Sequence, residues 1–312
     1  MTIPTTSLGR SGLVVSKLGL GTAPFGQFRD GGQDAHLVNT VHAALERGVT
    51  LFDTAPLYGA GYAEKVLGAA LREVPRERYV LSTKVGRLVG DDGKVWFDFS
   101  RDGVLRSLEA SLQRLGLDRV DIALIHDPDN HEQQAFHEAF PALVELRSQG
   151  VIGAIGAGMN QWQMEQRFVE QLDPDVFLLA GRYTLLEQTS LGFLELCRSR
   201  NIAVMLGGTY NSGILATGSQ GAGTYNYAPP PPEISERVRR IEAVCARYGV
   251  PLHVAALRFA AAHPAVTAPV LGAVSPGEVA ANVAALMTDV PPELWDDLRA
   301  EGLIDAATPV PV

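Results

Sequence analysis

The sequence predicts an α/β fold, a single (β/α)8 TIM barrel in which eight parallel strands alternate with helices. Eight short apolar runs of strand length alternate along the chain with longer stretches of helical period. Eight strand–helix units in about 250 residues match a closed barrel. An open, doubly wound sheet also has β-α-β order, but no Gly-x-Gly pair here carries the third glycine of its dinucleotide fingerprint.

The predicted strands coincide with the apolar runs 18–23, 51–55, 80–85, 122–126, 154–158, 176–180, 203–207 and 269–273. The predicted helices are 34–47, 61–73, 101–116, 133–149, 161–171, 190–200, 233–263 and 277–287. Ser100 precedes one helix in a capping position, and Gly48, Gly116 and Gly150 follow others as helix ends. The order of elements places the whole chain, 1–312, in one barrel domain.

Two segments lie outside the repeat. Residues 5–17 predict a small β-hairpin that closes the bottom of the barrel. Residues 211–232 form a long loop after the seventh strand, at the face where barrel active sites lie. A disordered insertion is the alternative for this loop.

Composition excludes several classes of protein. The hydrophobic share of 46% and the charged share of 20% are those of a globular protein. The net charge of −9 argues against a nucleic-acid partner. No signal peptide is evident, and the most apolar region, 254–274, is interrupted by Arg258 and Pro264, so we expect neither export nor a membrane span.

The cysteines and histidines give no metal or disulfide pattern. Cys197 and Cys245 fit a reducing cytoplasm as buried apolar side chains. The spacing of His126, His131 and His137 matches no zinc motif, so we expect no metal.

Polar residues at strand ends identify the candidate catalytic group. The second, third and fourth strands bring Asp53, Lys84 and His126 to one rim, and Tyr58 lies on the loop after the second strand. A tyrosine hydroxyl titrates near pH 10, so proton exchange near neutrality requires a stabilised phenolate. Lys84 can supply that stabilisation, with Asp53 holding the ammonium in place. His126 can orient a substrate oxygen, which fits one half of a hydride transfer with a nicotinamide cofactor.

Each of these residues also has a simpler explanation. Asp53 and Lys84 could form a structural ion pair, and His126 could be a satisfied core residue. A lone barrel lysine could instead form a Schiff base, as in an aldolase. The combination of all four at successive strand ends favours the catalytic interpretation.

The motifs around these residues resemble the aldo-keto reductase family from end to end. They are Leu-Gly-Arg-Ser-Gly at 8–12, Leu-Gly-Leu-Gly at 18–21, Phe-Asp-Thr-Ala-Pro-Leu-Tyr-Gly at 52–59, Glu-Lys-Val-Leu-Gly at 64–68, Ser-Thr-Lys at 82–84 and Gly-Val-Ile-Gly-Ala-Ile-Gly at 150–156. The resemblance implies the catalytic tetrad Asp53, Tyr58, Lys84 and His126, a nicotinamide cofactor across the barrel rim, and no metal.

The resemblance also implies the residues that contact the cofactor, with departures from the usual family pattern. The implied contacts are Gly21, Thr22, Asp53, Met159, Asn160, Gly207, Ser212, Gly213, Leu215, Gly272, Ser275, Glu278 and Asn282. Where the usual family pattern has a serine beside Asn160, this chain has Met159. It has Ala180 in place of a glutamine and Gly207 in place of an aromatic residue. Where NADP-dependent members carry basic residues, this chain has Gly272 and Glu278, so we expect NAD to be preferred over NADP. The alternative is that Glu278 points to solvent.

Segments 157–161, 181–187 and 207–216 resemble the branch with L-fucose and D-threo-aldose 1-dehydrogenases, L-galactose dehydrogenase and pyridoxal 4-dehydrogenase. This implies oxidation of a cyclic hemiacetal to a lactone, the substrate being an aldose such as L-fucose, L-galactose or D-arabinose, or pyridoxal. Tyr58 and His126 would contact substrate together with Trp96, Phe97 and Tyr210, while Phe99 and Asn211 are further candidates. The alternatives are an NADPH-dependent carbonyl reductase and a cofactor-binding regulatory subunit. We expect a cytoplasmic monomer or homodimer.

Overall fold

The computed structural model describes residues 3–32, 34–90 and 92–311. Its strands are β1 (Thr5–Ser7), β2 (Val14–Ser16), β3 (Gly19–Gly21), β4 (Leu51–Asp53), β5 (Val80–Val85), β6 (Arg87–Val89), β7 (Val95–Phe97), β8 (Val120–His126), β9 (Ile152–Met159), β10 (Val176–Ala180), β11 (Ala203–Gly207) and β12 (Val266–Gly272). Strands β3, β4, β5, β8, β9, β10, β11 and β12 pair in this order, all parallel, and β12 closes onto β3. The closed eight-stranded barrel confirms the predicted fold.

Helices surround the barrel. They are α1 (Asp34–Glu46), α2 (Tyr62–Leu71), α3 (Arg101–Leu115), α4 (Glu132–Gln134), α5 (Phe140–Ser148), α6 (Trp162–Gln171), α7 (Leu191–Ser199), α8 (Ile214–Thr217), α9 (Pro232–Arg247), α10 (Leu252–Ala262), α11 (Pro276–Met287) and α12 (Pro292–Ala300). The predicted signals hold: Ser100 Oγ accepts a hydrogen bond from Gly103 N at 3.0 Å, and Gly116 ends α3 with a φ of +69°. Among the described residues, no helix is both long and apolar enough to span a membrane.

The amino-terminal hairpin closes the bottom of the barrel, as predicted. Strands β1 and β2 pair antiparallel, and Leu8 and Val15 are buried in one cluster with the inward-facing Leu51 and Ile122. The turn at Gly9 packs directly on β11, where a Cβ atom would lie 2.7 Å from Ala203 N. Only glycine fits that contact at a φ of +52°.

The structure differs from the predicted elements in three larger features, besides the short helix α8 inside the loop predicted for 211–232. The stretch 233–263 is two helices, α9 and α10, because Gly249 turns the chain with a φ of +65° and Pro251 caps the second helix. Helix α12 was not predicted, although Trp295 anchors it in the core. The segment after β5, expected as a loop, is an antiparallel hairpin of β6 and β7 that extends the barrel rim.

Candidate active site

Three neighbouring strands place charged side chains at the carboxyl end of the barrel interior. Asp53 ends β4, Lys84 lies near the end of β5, and the alternation of strand residues turns both inward above the apolar layers. Lys84 Nζ donates to Asp53 Oδ2 at 2.7 Å and to the Thr54 carbonyl at 2.9 Å. Ser82 Oγ donates to Asp53 Oδ1 at 2.9 Å. The pair is enclosed, with side-chain exposures of 1% for Lys84 and 4% for Asp53.

Tyr58 and His126 complete the group. The turn after β4 brings the Tyr58 ring to 5.0 Å from Lys84 Nζ. The His126 ring meets it edge-on, with centroids 6.0 Å apart and planes at 87°. This turn needs a glycine next to the tyrosine, because a Cβ at Gly59 would lie 2.8 Å from Gly26 Cα. The structure therefore brings together all four residues that the sequence placed at the rim.

Burial and charge set the protonation of these side chains. Burial lowers the pKa of the Lys84 ammonium, but Asp53 and Tyr58 outweigh it and hold that pKa above its ordinary value. Burial raises the pKa of the Tyr58 phenol, and Lys84 counters only part of that rise. Burial, together with the charge of Lys84, keeps the pKa of His126 well below its usual range. At neutral pH the group is a charged lysine, a protonated tyrosine and a neutral histidine.

This arrangement can exchange a proton with a substrate oxygen. In such an exchange the Tyr58 hydroxyl can carry the proton, Lys84 can stabilise its phenolate, and the neutral His126 can donate a hydrogen bond without adding charge. Both carboxylate oxygens of Asp53 accept hydrogen bonds, one from Lys84 and one from Ser82. Asp53 therefore holds the ammonium in place.

The opposite half of the same rim is lined by small side chains. Its inward positions carry small residues, namely Gly21, Gly158, Ala180 and Gly207. Asn160 Nδ2 donates to the Ala180 carbonyl at 2.8 Å in this half of the rim. The loop after β11 leaves three buried polar atoms without partners among the described residues: Thr209 Oγ1, Tyr210 Oη and Asn211 Oδ1. Small residues beside orphaned polar atoms fit a bound cofactor that supplies the missing partners.

The start of α11 carries its own carboxylate. Ser275 Oγ accepts from Glu278 N at 3.2 Å, and Glu278 Oε2 accepts from Val274 N at 2.9 Å. Ser275 thus caps the helix through the Glu278 amide, and the Glu278 side chain reaches back past the cap to the Val274 amide. An anion approaching this helix end meets a negative charge already in place.

The other predicted cofactor residues lie in varied settings. Thr22 Oγ1 donates to the Asp53 carbonyl at 3.1 Å, and Gly272 packs against Pro24. Ser212 Oγ accepts from Tyr227 N in the long loop, and Gly213 has a φ of +106°. Met159 and Leu215 are buried in the core, and Asn282 lies half-buried beside Val279.

Of the predicted substrate residues, Phe97 and Trp96 line two different cavities, whereas Phe99 and Asn211 are buried. Phe97 lines a cavity of about 270 Å3 together with Asp127 and Asn160. Trp96 faces the other side of β7, where it lines a second cavity beneath the hairpin with Leu88.

Arg87 and Asp127 line the Phe97 cavity, and sequence reasoning missed both. Asp127 directly follows β8 and Arg87 comes two residues after the end of β5, so both carry the same signal, a position just past a strand end, that identified the other site residues.

Comparisons with known proteins identify the family of the chain. Residues 17–300 match the model of the aldo/keto reductase family. A pyridoxal 4-dehydrogenase of Microbacterium luteolum is 40% identical, over 96% of this chain and 97% of that protein. A D-threo-aldose 1-dehydrogenase of a Pseudomonas species is 35% identical, over 94% and 96%.

A solved structure with the same architecture is an aldo-keto reductase from Bacillus halodurans in its holo form. It superposes with a TM-score of 0.80 at 25% identity and covers 98% of each chain. Sequence and structure together place the chain in a family of NAD(P)-dependent oxidoreductases. The protein thus belongs to the aldo/keto reductase family.

Proposed function

We propose that this protein is an NAD-preferring dehydrogenase that oxidises a cyclic hemiacetal to a lactone, with Tyr58 as the acid/base. The observation that carries the proposal is the Tyr58 phenol lying between the Lys84 ammonium and the neutral His126 ring. A hemiacetal is an alcohol and a masked aldehyde at one carbon, so loss of a proton and a hydride from it gives the lactone directly.

The residues of the chain account for the proton half of the reaction. Tyr58, as phenolate, takes the proton from the hemiacetal hydroxyl while the C–H bond of the same carbon breaks and its electron pair leaves as hydride. When bound, a nicotinamide cofactor provides the acceptor for that hydride. His126 holds the substrate oxygen by a hydrogen bond, and the charge of Lys84 lowers the free energy of forming the Tyr58 phenolate.

The preference for NAD rests on Glu278. Its carboxylate accepts from the Val274 amide just before α11 and so lies beside a helix start, the kind of position that binds a phosphate. A second negative charge about 4 Å away would cost roughly 1 kcal/mol in water-like surroundings and more where solvent is excluded. A ribose with free hydroxyl groups avoids this cost.

The relatives support the substrate class. The two relatives are named for activity on pyridoxal and on a D-threo-aldose. Pyridoxal and aldoses both close to cyclic hemiacetals, so one arrangement of acid/base groups serves both.

Reduction of a carbonyl compound is the second candidate. The raised pKa of Tyr58 keeps the phenol protonated at neutral pH, which suits proton donation to a carbonyl oxygen. The two directions are distinguished by which cofactor form is consumed at neutral pH.

We expect the protein to act on small molecules in the cytoplasm. Its two cysteines, Cys197 and Cys245, are buried free thiols. Burial raises the pKa of both thiols, that of Cys245 to about 12, which leaves them inert in a reducing compartment.

The test follows near-ultraviolet absorbance of reduced nicotinamide with purified protein and NAD or NADP. The panel is L-fucose, L-galactose, D-arabinose and pyridoxal. Formation of reduced cofactor with NAD and at least one panel member supports the proposal. Activity confined to NADPH and free aldehydes contradicts it and favours the reductase.

A further inference from the structure

An ion pair that the proposed proton transfer does not use lies beside His126. Arg87 opens β6 directly after β5, and Asp127 directly follows β8. Because β5 and β8 are neighbours in the barrel, the two side chains meet, and Arg87 Nη1 donates to Asp127 Oδ2. The same carboxylate oxygen lies 3.7 Å from His126 Nε2. The pair therefore adjoins the group that would hold the reacting oxygen.

The backbone fixes Asp127 in an uncommon conformation. Its φ is +46°, in the left-handed region that side-chain-bearing residues seldom adopt. Its amide donates to the Gly158 carbonyl at 3.1 Å, which holds the residue against the end of β9. Such conformations persist where the surrounding structure fixes them, and functional sites are a common place for them.

The pair forms one wall of the cavity that Phe97 lines. The cavity has a volume of about 270 Å3, and all its lining residues except Phe97 carry polar or charged groups. Asn160 and Gln161 form the wall at the end of β9. This lining offers many hydrogen-bond donors and acceptors and one apolar ring face.

The pair has hydrogen-bonding capacity left over. Arg87 donates to Asp127 through Nη1, and its Nη2 has no hydrogen-bond partner among the described residues. Within the same part of the chain, Asp127 Oδ1 makes no hydrogen bond, since both contacts of this carboxylate use Oδ2. A guanidinium donor and a carboxylate acceptor are therefore left for a ligand in the cavity that both residues line.

We propose that Arg87 and Asp127 bind substrate hydroxyl groups next to the reacting carbon, so that the substrate is a polyhydroxylated hemiacetal, an aldose. The inference rests on the proposed function and narrows its substrate class. A hydroxyl group both donates and accepts, so neighbouring hydroxyls on a sugar ring satisfy a carboxylate and a guanidinium together. Phe97, which packs against the His131 ring with centroids 5.0 Å apart, is the apolar part of the cavity wall, and the C–H groups of the sugar would contact it.

A substrate without these hydroxyls leaves the pair unsatisfied. Sites built to hydrogen-bond a hydroxyl reject analogues that lack it far more strongly than apolar pockets reject an extra group. A flat heteroaromatic hemiacetal such as that of pyridoxal carries no row of ring hydroxyls, so it gains less from Arg87 and Asp127.

The test compares two hemiacetals that share the reacting group. L-Fucose carries ring hydroxyls, and 2-hydroxytetrahydropyran carries none besides the reacting one. The measured quantity is the ratio of kcat/KM for the sugar to kcat/KM for the plain hemiacetal, with NAD. The variants are Asp127→Asn and Arg87→Gln. The matched control is Arg76→Gln, because Arg76 Nη2 bonds Asp121 Oδ2 in an equivalent pair at the opposite end of β5 and β8.

We expect the wild-type ratio to be high and to fall about 10- to 100-fold in both site variants, mainly through KM for the sugar. The control variant should keep the wild-type ratio. Equal losses for both substrates would show that the pair acts only through His126 or the fold, and would overturn the inference. A wild-type ratio near one, or faster turnover of pyridoxal, would overturn it while the proposed function stands. Absence of turnover with every hemiacetal would overturn both.

Discussion

Replacing Lys84 by methionine tests the buried ion pair at the centre of the site. The change removes the ammonium that donates to Asp53 at 2.7 Å and leaves a nearly fully buried carboxylate with Ser82 as its remaining side-chain partner. Breaking such a pair on one side costs about 3–5 kcal/mol. With roughly 2.1 cal/mol/K of unfolding entropy per residue over 312 residues, that loss lowers Tm by about 5–8 °C.

The pH dependence of this stabilisation follows from the raised pKa of Lys84. A lysine whose pKa is higher in the folded state contributes its full stabilisation below the unfolded value of about 10.4 and loses it only as the pH rises through the folded value. The deficit of the variant should therefore be undiminished at pH 7 and should shrink in strongly alkaline solution.

The assay is thermal unfolding by circular dichroism at pH 7 for wild type, Lys84→Met and the double variant Lys84→Met/Asp53→Leu. The double variant should regain much of the lost stability, because no charge is then left buried, while remaining inactive. A Tm for Lys84→Met within about 1 °C of wild type would refute the reasoning that the pair is desolvated and tightly coupled.

Three further predictions concern other groups. Glu165 is fully buried, neither carboxyl oxygen has a partner among the described residues, and burial raises its pKa well above the ordinary value. The free energy of unfolding of the wild type should thus fall as the pH rises above about 4.3. Glu165→Met should remove this pH dependence and raise the free energy of unfolding by about 1–3 kcal/mol at pH 7. Glu165→Gln should remove the pH dependence without that gain, and urea unfolding at pH 5 and pH 8 would show both effects. Because burial raises the pKa of Tyr58, kcat for hemiacetal oxidation should increase from pH 7 to pH 10; a flat profile would mean that another base takes the proton. Glu278→Gln, which keeps the helix cap, should improve kcat/KM with NADP about fivefold or more, and Glu278→Arg should improve it further; an unchanged NAD/NADP ratio in both would show that Glu278 does not face the ribose.

The strand pattern made the barrel predictable from sequence. Each apolar run of strand length, such as 176–180, lies between segments whose apolar residues recur at helical spacing. Few folds have such a regular alternation of strands and helices. The tetrad was predictable for a related reason: Asp53, Lys84 and His126 each lie at the end of such a run. The position of a residue at a strand end was sufficient, because all strands of a parallel barrel end at the same rim and so bring such residues close together.

Features that depend on tertiary contacts were harder to predict from the sequence. The break between α9 and α10 had its signal at Gly249 and Pro251, but uniform helical period on both sides masked it. The β6–β7 hairpin is held by its place above the rim, and its exposed strand β7 lacks the alternation of a half-buried strand. The Arg87–Asp127 pair depends on how two loops turn, which a sequence pattern does not fix.

The solitary burial of Glu165 illustrates the same limit. Its position in α6 has the sequence context of an ordinary surface carboxylate, and only packing shows that both oxygens are enclosed. Charged residues at helical spacing are assigned to solvent by default, so a buried one is found only in three dimensions.

The most direct test of the central claim is Tyr58→Phe, which removes one hydroxyl and keeps the ring beside Lys84 and His126. Turnover of the best hemiacetal with NAD and binding of NAD by calorimetry would be measured on the same preparation. We predict a loss of about 100- to 10,000-fold in kcat with the Kd for NAD changed less than about threefold. Retention of a tenth or more of wild-type turnover would contradict the assignment of Tyr58 as the proton carrier.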